Sequence, residues 1–216
     1  MNYLDVGSMF GMPTAEVFEG TNTTVLRPQT SDALMVALDK ADMVGFGGGA
    51  DIHPSLYGCK NVASGVGHGP SVRDRVEEHI FRRCVDDGIP MFGICRGAQF
   101  LCAMSGGKLV QDVTGHGGDH TLNSFNGLMM PITSTHHQMM YPWDVPHDLI
   151  AWTANKSQRY IHDIPNYTQP DKDPEIVFFP RTGAFAVQGH PEWMDPNSKT
   201  VRMIRTWVQE KFSIQL

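Results

Sequence analysis

Met91-Phe92-Gly93-Ile94-Cys95-Arg96-Gly97-Ala98-Gln99 is the stretch on which the fold turns. Pro90 precedes it, and Met91 to Ile94 is short and wholly apolar, as a strand buried on both faces must be. Ala98 to Ser105 continues as an apolar helix closed by Gly106-Gly107. Cys95 therefore sits where a strand turns sharply into a helix. The flanking sequence repeats that alternation. Ser31 to Ala41 reads as a helix, with Asp32 in its first turn and Leu34, Leu38 and Ala41 at helical spacing, and Met43 to Phe46 follows as a strand ending in Gly47-Gly48-Gly49. Ser71 to Asp87 is the clearest helix: Ser71 and Asp74 form a capping-box-like start, Val72, Val76, Ile80 and Cys84 recur every fourth residue, and Gly88 stops it. Strands alternating with helices predict an α/β fold, a three-layer sandwich with a mainly parallel central sheet and the site at the carboxyl ends of its strands.

The second half offers strands at about Leu128 to Thr133, Leu149 to Ala154, Glu175 to Phe179 and Ala184 to Gln188, which extend the sheet or form hairpins on it. Pro165, Pro170 and Pro174 make the segment between Ile164 and Pro174 a loop. Val201, Ile204, Val208 and Phe212 mark a last amphipathic helix, its first turn set up by Asp195-Pro196. The 216 residues contain no internal repeat and read as one domain spanning 1–216, with 41% hydrophobic residues supplying a sizeable core.

Lys and Arg number 17 against 23 Asp and Glu, so the net charge of -6 provides no basic field for a nucleic-acid backbone. No apolar run approaches the roughly 20 residues of a membrane helix, and Met1-Asn2-Tyr3-Leu4-Asp5 lacks a signal peptide's basic start, so the expectation is a cytoplasmic protein with no nucleic-acid or membrane partner. Four cysteines, Cys59, Cys84, Cys95 and Cys102, in a chain of this length make neither a disulfide scaffold nor a C-x-x-C zinc site. Cys84 and Cys102 lie on apolar helical faces and read as structural thiols.

Cys95 reads differently. A thiol at a strand-to-helix elbow is exposed on a tight turn, and the N–H groups opening the helix lower its pKa from about 8.5. Gly93-Ile94-Cys95-Arg96-Gly97 reproduces the Gly-x-Ser-x-Gly spacing of hydrolase elbows with cysteine in place of serine. A cysteine nucleophile needs a base with an orienting group, and Gly189-His190-Pro191-Glu192 follows the strand Ala184 to Gln188. Pro191 keeps His190 extended, so a period of two points His190 and Glu192 the same way. The N–H of Arg96 is a natural oxyanion donor, and Gly47-Gly48-Gly49 offers others, although alone those glycines read equally as a tight turn.

Taken together, Gly93 to Gln99, Gly106-Gly107-Lys108-Leu109-Val110-Gln111-Asp112 and His190-Pro191-Glu192 resemble the three signatures of class I glutamine amidotransferases. Gly48-Gly49-Ala50-Asp51-Ile52-His53-Pro54-Ser55-Leu56-Tyr57-Gly58 and Ser134-Thr135-His136-His137-Gln138 are similar to segments of the γ-glutamyl hydrolase and γ-glutamyl-GABA hydrolase branch. These matches run in order from about Met43 to Trp193. The resemblance implies the flavodoxin-like amidotransferase fold, with Cys95 as nucleophile, His190 as general base then acid, and Glu192 as the orienting carboxylate. It further implies Gly49 and Arg96 as oxyanion donors, and Gly48, Gln99, His136 and His137 as substrate-binding residues. The implied enzyme hydrolyses the γ-glutamyl amide bond of glutamine or of γ-glutamyl amines through a glutamyl-thioester, with no metal or organic cofactor. Two alternatives stand beside it: a glutaminase subunit supplying ammonia to a separate synthetase or ligase partner, and a catalytically silent binding module.

Two positions depart from the family pattern. Phe46-Gly47 replaces a frequent proline before the glycine pair, which suggests a more mobile loop, and Gly189 replaces a frequent aromatic residue, which suggests a more open pocket wall. His116-Gly117-Gly118-Asp119-His120 has metal-like spacing, but its glycines argue against the helix that would align the rings, so it reads as a loop near the pocket mouth. Met139-Met140 beside the histidine segment reads as core filling, with an adaptable contact surface as the alternative.

Overall fold

The computed structural model describes residues 1–216. In chain order the elements are β1 (Asn2–Asp5), β2 (Thr24–Leu26), α1 (Ser31–Leu38), β3 (Met43–Phe46), α2 (Val72–Asp87), β4 (Met91–Ile94), α3 (Arg96–Met104), β5 (Lys108–Val110), β6 (Asp112–Val113), β7 (His120–Ser124), β8 (Met129–Ile132), β9 (Met139–Tyr141), β10 (Asp148–Thr153), β11 (Tyr160–Ile161), β12 (Pro174–Phe179), β13 (Ala184–Val187) and α4 (Lys199–Phe212). Nine strands form one sheet in the order β2-β1-β3-β4-β13-β12-β10-β7-β8. From β2 to β13 every pairing is parallel, and beyond β13 every pairing is antiparallel. All strands but β12 and β7 consequently point the same way, and the sheet is mixed and mostly parallel as the alternation predicts.

Side-chain alternation sorts the strands onto two faces. Leu4, Val44, Phe46, Met91, Val177 and Phe179 face one core, which α1, α2 and α3 close with Leu34, Leu38, Ile80, Phe81, Cys84 and Phe100. Tyr3, Met43, Phe92, Ile94, Ile176, Phe178, Phe185 and Val187 face the other, closed by Val201, Ile204, Trp207 and Val208 of α4. Two helical layers thus enclose a sheet whose central strands are buried on both sides. Met139 and Met140 are fully buried and fill the core.

Helix boundaries follow local chemistry. Ser71 and Asp74 make the reciprocal capping box, and Gly88 ends α2 at φ 69°. Ser198, not Asp195-Pro196, caps α4: its hydroxyl accepts from the Val201 N–H at 3.3 Å, while Asp195 accepts from the Asn197 N–H. The N-terminal thirty residues, which carry no sequence signature, contribute β1 and β2. Asp5 at the end of β1 is fully buried and accepts from the Thr14 N–H and hydroxyl, so the segment from 6 to 14 is tied back onto the sheet. No helix is long and apolar enough to cross a membrane.

Topology gathers the site. β3, β4 and β13 are adjacent and parallel, so their carboxyl ends deliver Gly47 to Gly49, Cys95 and Gly189 to Glu192 to one edge of the sheet.

Candidate active site

Cys95 occupies φ 51°, ψ −108°, a conformation that costs a non-glycine residue on the order of 1–3 kcal/mol and is found where function maintains it. The elbow is locked from both sides. The Cys95 N–H donates to Val187 O at 2.8 Å, and its carbonyl accepts from the Gln99 N–H at 3.0 Å. Glycine is required around it: a Cβ on Gly97 would lie 2.0 Å from Phe46 O, and one on Gly93 would lie 2.6 Å from the Gly97 carbonyl. The sharp turn is therefore a consequence of close backbone packing between β3, β4 and α3.

The expected lowering of the thiol pKa is not met. Burial pushes Cys95 up to about 12, outweighing the Arg96 N–H that favours the thiolate, and Glu192, Glu175 and Asp51 add to the rise. The free protein holds a neutral thiol.

His190, which also lines the cavity beside Cys95, is held in one orientation. Its Nδ1–H donates to Glu192 Oε1 at 2.7 Å, which leaves Nε2 as the lone pair, and that lone pair accepts from the Thr135 hydroxyl at 2.9 Å. Pro191 does not keep the segment extended; Pro191–Trp193 is a 3-10 turn, and the turn itself folds Glu192 back onto the ring. Trp193 stacks on the imidazole at 3.7 Å between centroids and 4° between planes. In the triad proposed below, Thr135 would compete with Cys95 for Nε2. Removing a hydrogen bond of about 1 kcal/mol frees the base roughly five-fold, so Thr135→Val is expected to speed iodoacetamide alkylation of Cys95 by about that factor. Mass spectrometry of the Cys95 peptide reads this directly, and an unchanged rate would mean that Thr135 does not restrain the base.

The glycine loop is pinned, contrary to the mobility suggested by Phe46-Gly47. A Cβ on Gly47 would meet Met12 O at 1.9 Å, so the segment from residue 7 to 12 lies directly on it. Arg73 donates Nη2–H to Gly47 O at 2.8 Å and Nη1–H to Gly48 O at 2.7 Å. A trans peptide points its N–H opposite its carbonyl, so turning Gly48 O toward Arg73 turns the Gly49 N–H away from it. Gly49 sits at φ 130°, which only glycine adopts without strain.

A cavity of about 310 Å³ opens at this edge, with Cys95, His190, Gly49, Gln99, His136 and His137 among its lining residues. Gly48 lies against the imidazole, where a Cβ would come 3.2 Å from His190 Cε1. Gln99 is buried and donates Nε2–H to Gln138 O. His137 is half-exposed and bridges Asp51 at 3.1 Å and Asp112 at 3.5 Å, joining the two segments that carry the hydrolase-branch resemblance. The Arg96 side chain turns away from the cavity, into an ion-pair network with Asp74 and Glu77. Gly189 does not open the wall: it is buried, and a side chain there would strike Ile132 Cγ1 at 2.3 Å.

Residues 13–151, more than half of the chain, match the Peptidase C26 family model. The chain belongs to the Peptidase C26 family. It is glutamine amidotransferase-like. It is 32% identical over 101 residues to the glutamine amidotransferase-like protein YvdE of Lactococcus lactis, covering 46% of this chain and 42% of that one. It is 26% identical over 174 residues to the carbamoyl phosphate synthase small chain of Xanthomonas axonopodis, covering 80% of this chain and 37% of that one. The chain thus spans less than half the length of either relative. Among solved structures, PurLQS from Thermotoga maritima shares the fold at TM-score 0.57 and 13% identity, over 97% of this chain and 96% of that one.

For this Peptidase C26 chain, sequence reasoning missed Thr135, Trp193, Arg73 and Met12. Thr135 falls within the Ser134 to Gln138 segment and Trp193 directly follows His190-Pro191-Glu192, but neither bears a signal of contact with His190, and Arg73 reads as an ordinary charge on the exposed side of α2. His116 was also misplaced. It is fully buried and clusters with His120, His136 and Glu175, because a loop and the start of β7, not a helix, align its ring with that of His120. A glutamate at the head of the apolar run Ile176-Val177-Phe178-Phe179, within the same buried strand, was the available signal.

Proposed function

We propose that this chain hydrolyses the γ-glutamyl amide bond of glutamine or of a γ-glutamyl amine, with Cys95, His190 and Glu192 as a catalytic triad. The observation that carries the reading is Cys95 on a strained elbow facing the same cavity as an imidazole already oriented by Glu192. In the proposed reaction Nε2 of His190 exchanges Thr135 for the Cys95 thiol and takes its proton. The sulfur adds to the γ-carbonyl carbon, and the carbonyl oxygen becomes an oxyanion stabilised by the N–H groups of Gly49 and Arg96. When the tetrahedral intermediate collapses, the C–N bond breaks and the imidazolium protonates the departing ammonia or amine. Water, deprotonated by the same imidazole, adds to the glutamyl-thioester, and the C–S bond breaks to release glutamate and restore the thiol. Gly48, Gln99, His136 and His137 form the walls against which the glutamyl group lies, and Asp51 is the wall carboxylate suited to its ammonium.

The contact of the Asp51 segment with the His137 segment across the cavity supports an autonomous hydrolase. A glutaminase role beside a synthetase partner is the second reading, favoured by the similarity to a carbamoyl phosphate synthase small chain over 80% of this chain. Glutamate release by the purified protein from glutamine and from a panel of γ-glutamyl amines separates them. Turnover of a γ-glutamyl amine without any partner is the expected result. A folded protein that releases no glutamate, yet is labelled at Cys95 by a glutamine-analogue electrophile, would favour the glutaminase reading.

A further inference from the structure

Glu175 enters β12 as a fully buried carboxylate, and three imidazoles converge on one of its oxygens. His116 Nδ1, His120 Nε2 and His136 Nε2 lie 2.9, 3.1 and 3.3 Å from Glu175 Oε1. The four ligand atoms all fall within 4.8 Å of one another.

The far side of each ring settles its protonation. His116 Nε2 faces Asp173 Oδ2 at 3.2 Å, His120 Nδ1 faces Gly118 O at 2.9 Å, and His136 Nδ1 faces Gln138 O at 2.9 Å. Carboxylates and carbonyls only accept, so each far nitrogen carries the proton, and in a neutral imidazole the near nitrogen is then a lone pair. Three lone pairs and a carboxylate oxygen aimed at one point repel unless a cation lies among them. A proton on His116, which lies between Glu175 and Asp173, would satisfy that ring, but protonating all three rings would set three imidazolium charges against two carboxylates in a buried space. One divalent ion satisfies all four groups at once.

The spacing and the surroundings fit that solution. Tetrahedral zinc with bonds of about 2.0–2.1 Å separates its ligand atoms by about 3.3 Å, close to the three contacts with Oε1, and no pair exceeds 4.8 Å, so the more widely spaced rings would draw inward on binding. A metal-bound histidine characteristically donates its other N–H to a carboxylate or backbone carbonyl, and here all three rings do. Independently, Glu175 Oε2 is buried with no hydrogen-bond partner, an orphaned carboxylate oxygen at the same point.

We propose that His116, His120, His136 and Glu175 form a binding site for one divalent transition-metal ion of the zinc class. Nitrogen-rich donors select such an ion over magnesium or calcium, and four protein ligands make the site closed and structural. The ion ties the loop before β7, β7 itself and β12 to the segment from Ser134 to Gln138, which carries Thr135 and His137 into the cavity wall. His136 also borders the cavity, but its two ring nitrogens are used here and the site does not depend on the proposed reaction; it departs from the expectation that the 116–120 segment is a plain loop.

The test is to strip the full chain with a chelator, remove the chelator, and titrate with Co2+, whose tetrahedral complexes absorb strongly in the visible. Expected is saturation at about one Co2+ per chain, displacement by Zn2+, and a thermal midpoint that rises with either ion. Cys95→Ser should bind equally, and His120→Gln should lose the tetrahedral spectrum. The proposal is overturned if stripped wild-type protein with native circular dichroism takes up no Co2+, or if the spectrum disappears in Cys95→Ser and survives in His120→Gln.

Discussion

Cys95→Ala is expected to reduce glutamate release by about 10⁴-fold or more while leaving the protein folded, the scale of loss seen when a covalent nucleophile is removed. The geometry sets both halves of this expectation. The thiol is the group at the elbow that the proposed chemistry requires, and the only other hydroxyl or thiol lining the cavity is that of Thr135, 2.9 Å from His190 Nε2. Alanine removes one sulfur atom from a side chain that is 8% exposed, and it inherits the same backbone hydrogen bonds to Val187 and Gln99. The φ of 51° remains strained for alanine, so a small change in stability accompanies the loss of activity. Steady-state release of glutamate, with the thermal midpoint measured alongside, checks the two together. Residual turnover within ten-fold of wild type would remove Cys95 from the mechanism and return the cavity to a binding role.

How much of this was legible in the sequence depended on whether the signal was local. β3, β4, α2 and α3 could be read because each is bounded by its own punctuation, and the Gly93 to Gly97 spacing marks the elbow locally even though Phe46 and Val187, distant in sequence, hold it. His190 and Glu192 could be paired because they are two residues apart, even though a 3-10 turn replaces the extended segment expected there. Groups that act across the sheet left no such trace. The cluster around Glu175 joins the 116–120 segment, whose spacing alone was visible, to His136 and Glu175, and nothing in the sequence links those three stretches. The thiol pKa was misjudged for a related reason: the helix-opening N–H is local and visible, whereas the burial that outweighs it comes from the whole fold. Arg73 is the clearest case, since its position in α2 looks like solvent-facing charge until the glycine loop arrives beneath it.

Arg96→Met is expected to destabilise the fold by about 3–5 kcal/mol, lowering the thermal midpoint by roughly 6–20 °C in a chain of this size. Arg96 is 2% exposed, and its guanidinium pairs with Asp74 at 2.5 Å and with Glu77, both buried. Methionine keeps the volume and removes the charge, so two carboxylates lose their shared cation inside the protein. The consequence reaches the glycine loop, because Glu77 also accepts from Arg73 Nε at 2.8 Å, and Arg73 fixes the Gly47 and Gly48 carbonyls. A chain of ion pairs therefore connects the residue after the proposed nucleophile to the loop proposed to supply the second oxyanion donor. Lysine should not rescue it, since a single ammonium cannot span both carboxylates as the guanidinium fork does. Asp74→Asn in the Arg96→Met background should recover part of the lost stability by removing one unpaired charge, whereas Asp74→Asn alone should cost stability. Denaturant unfolding of the four proteins forms the cycle. Additive losses would show that the buried pair contributes little and that the packing of α3 against α2 holds the elbow by itself.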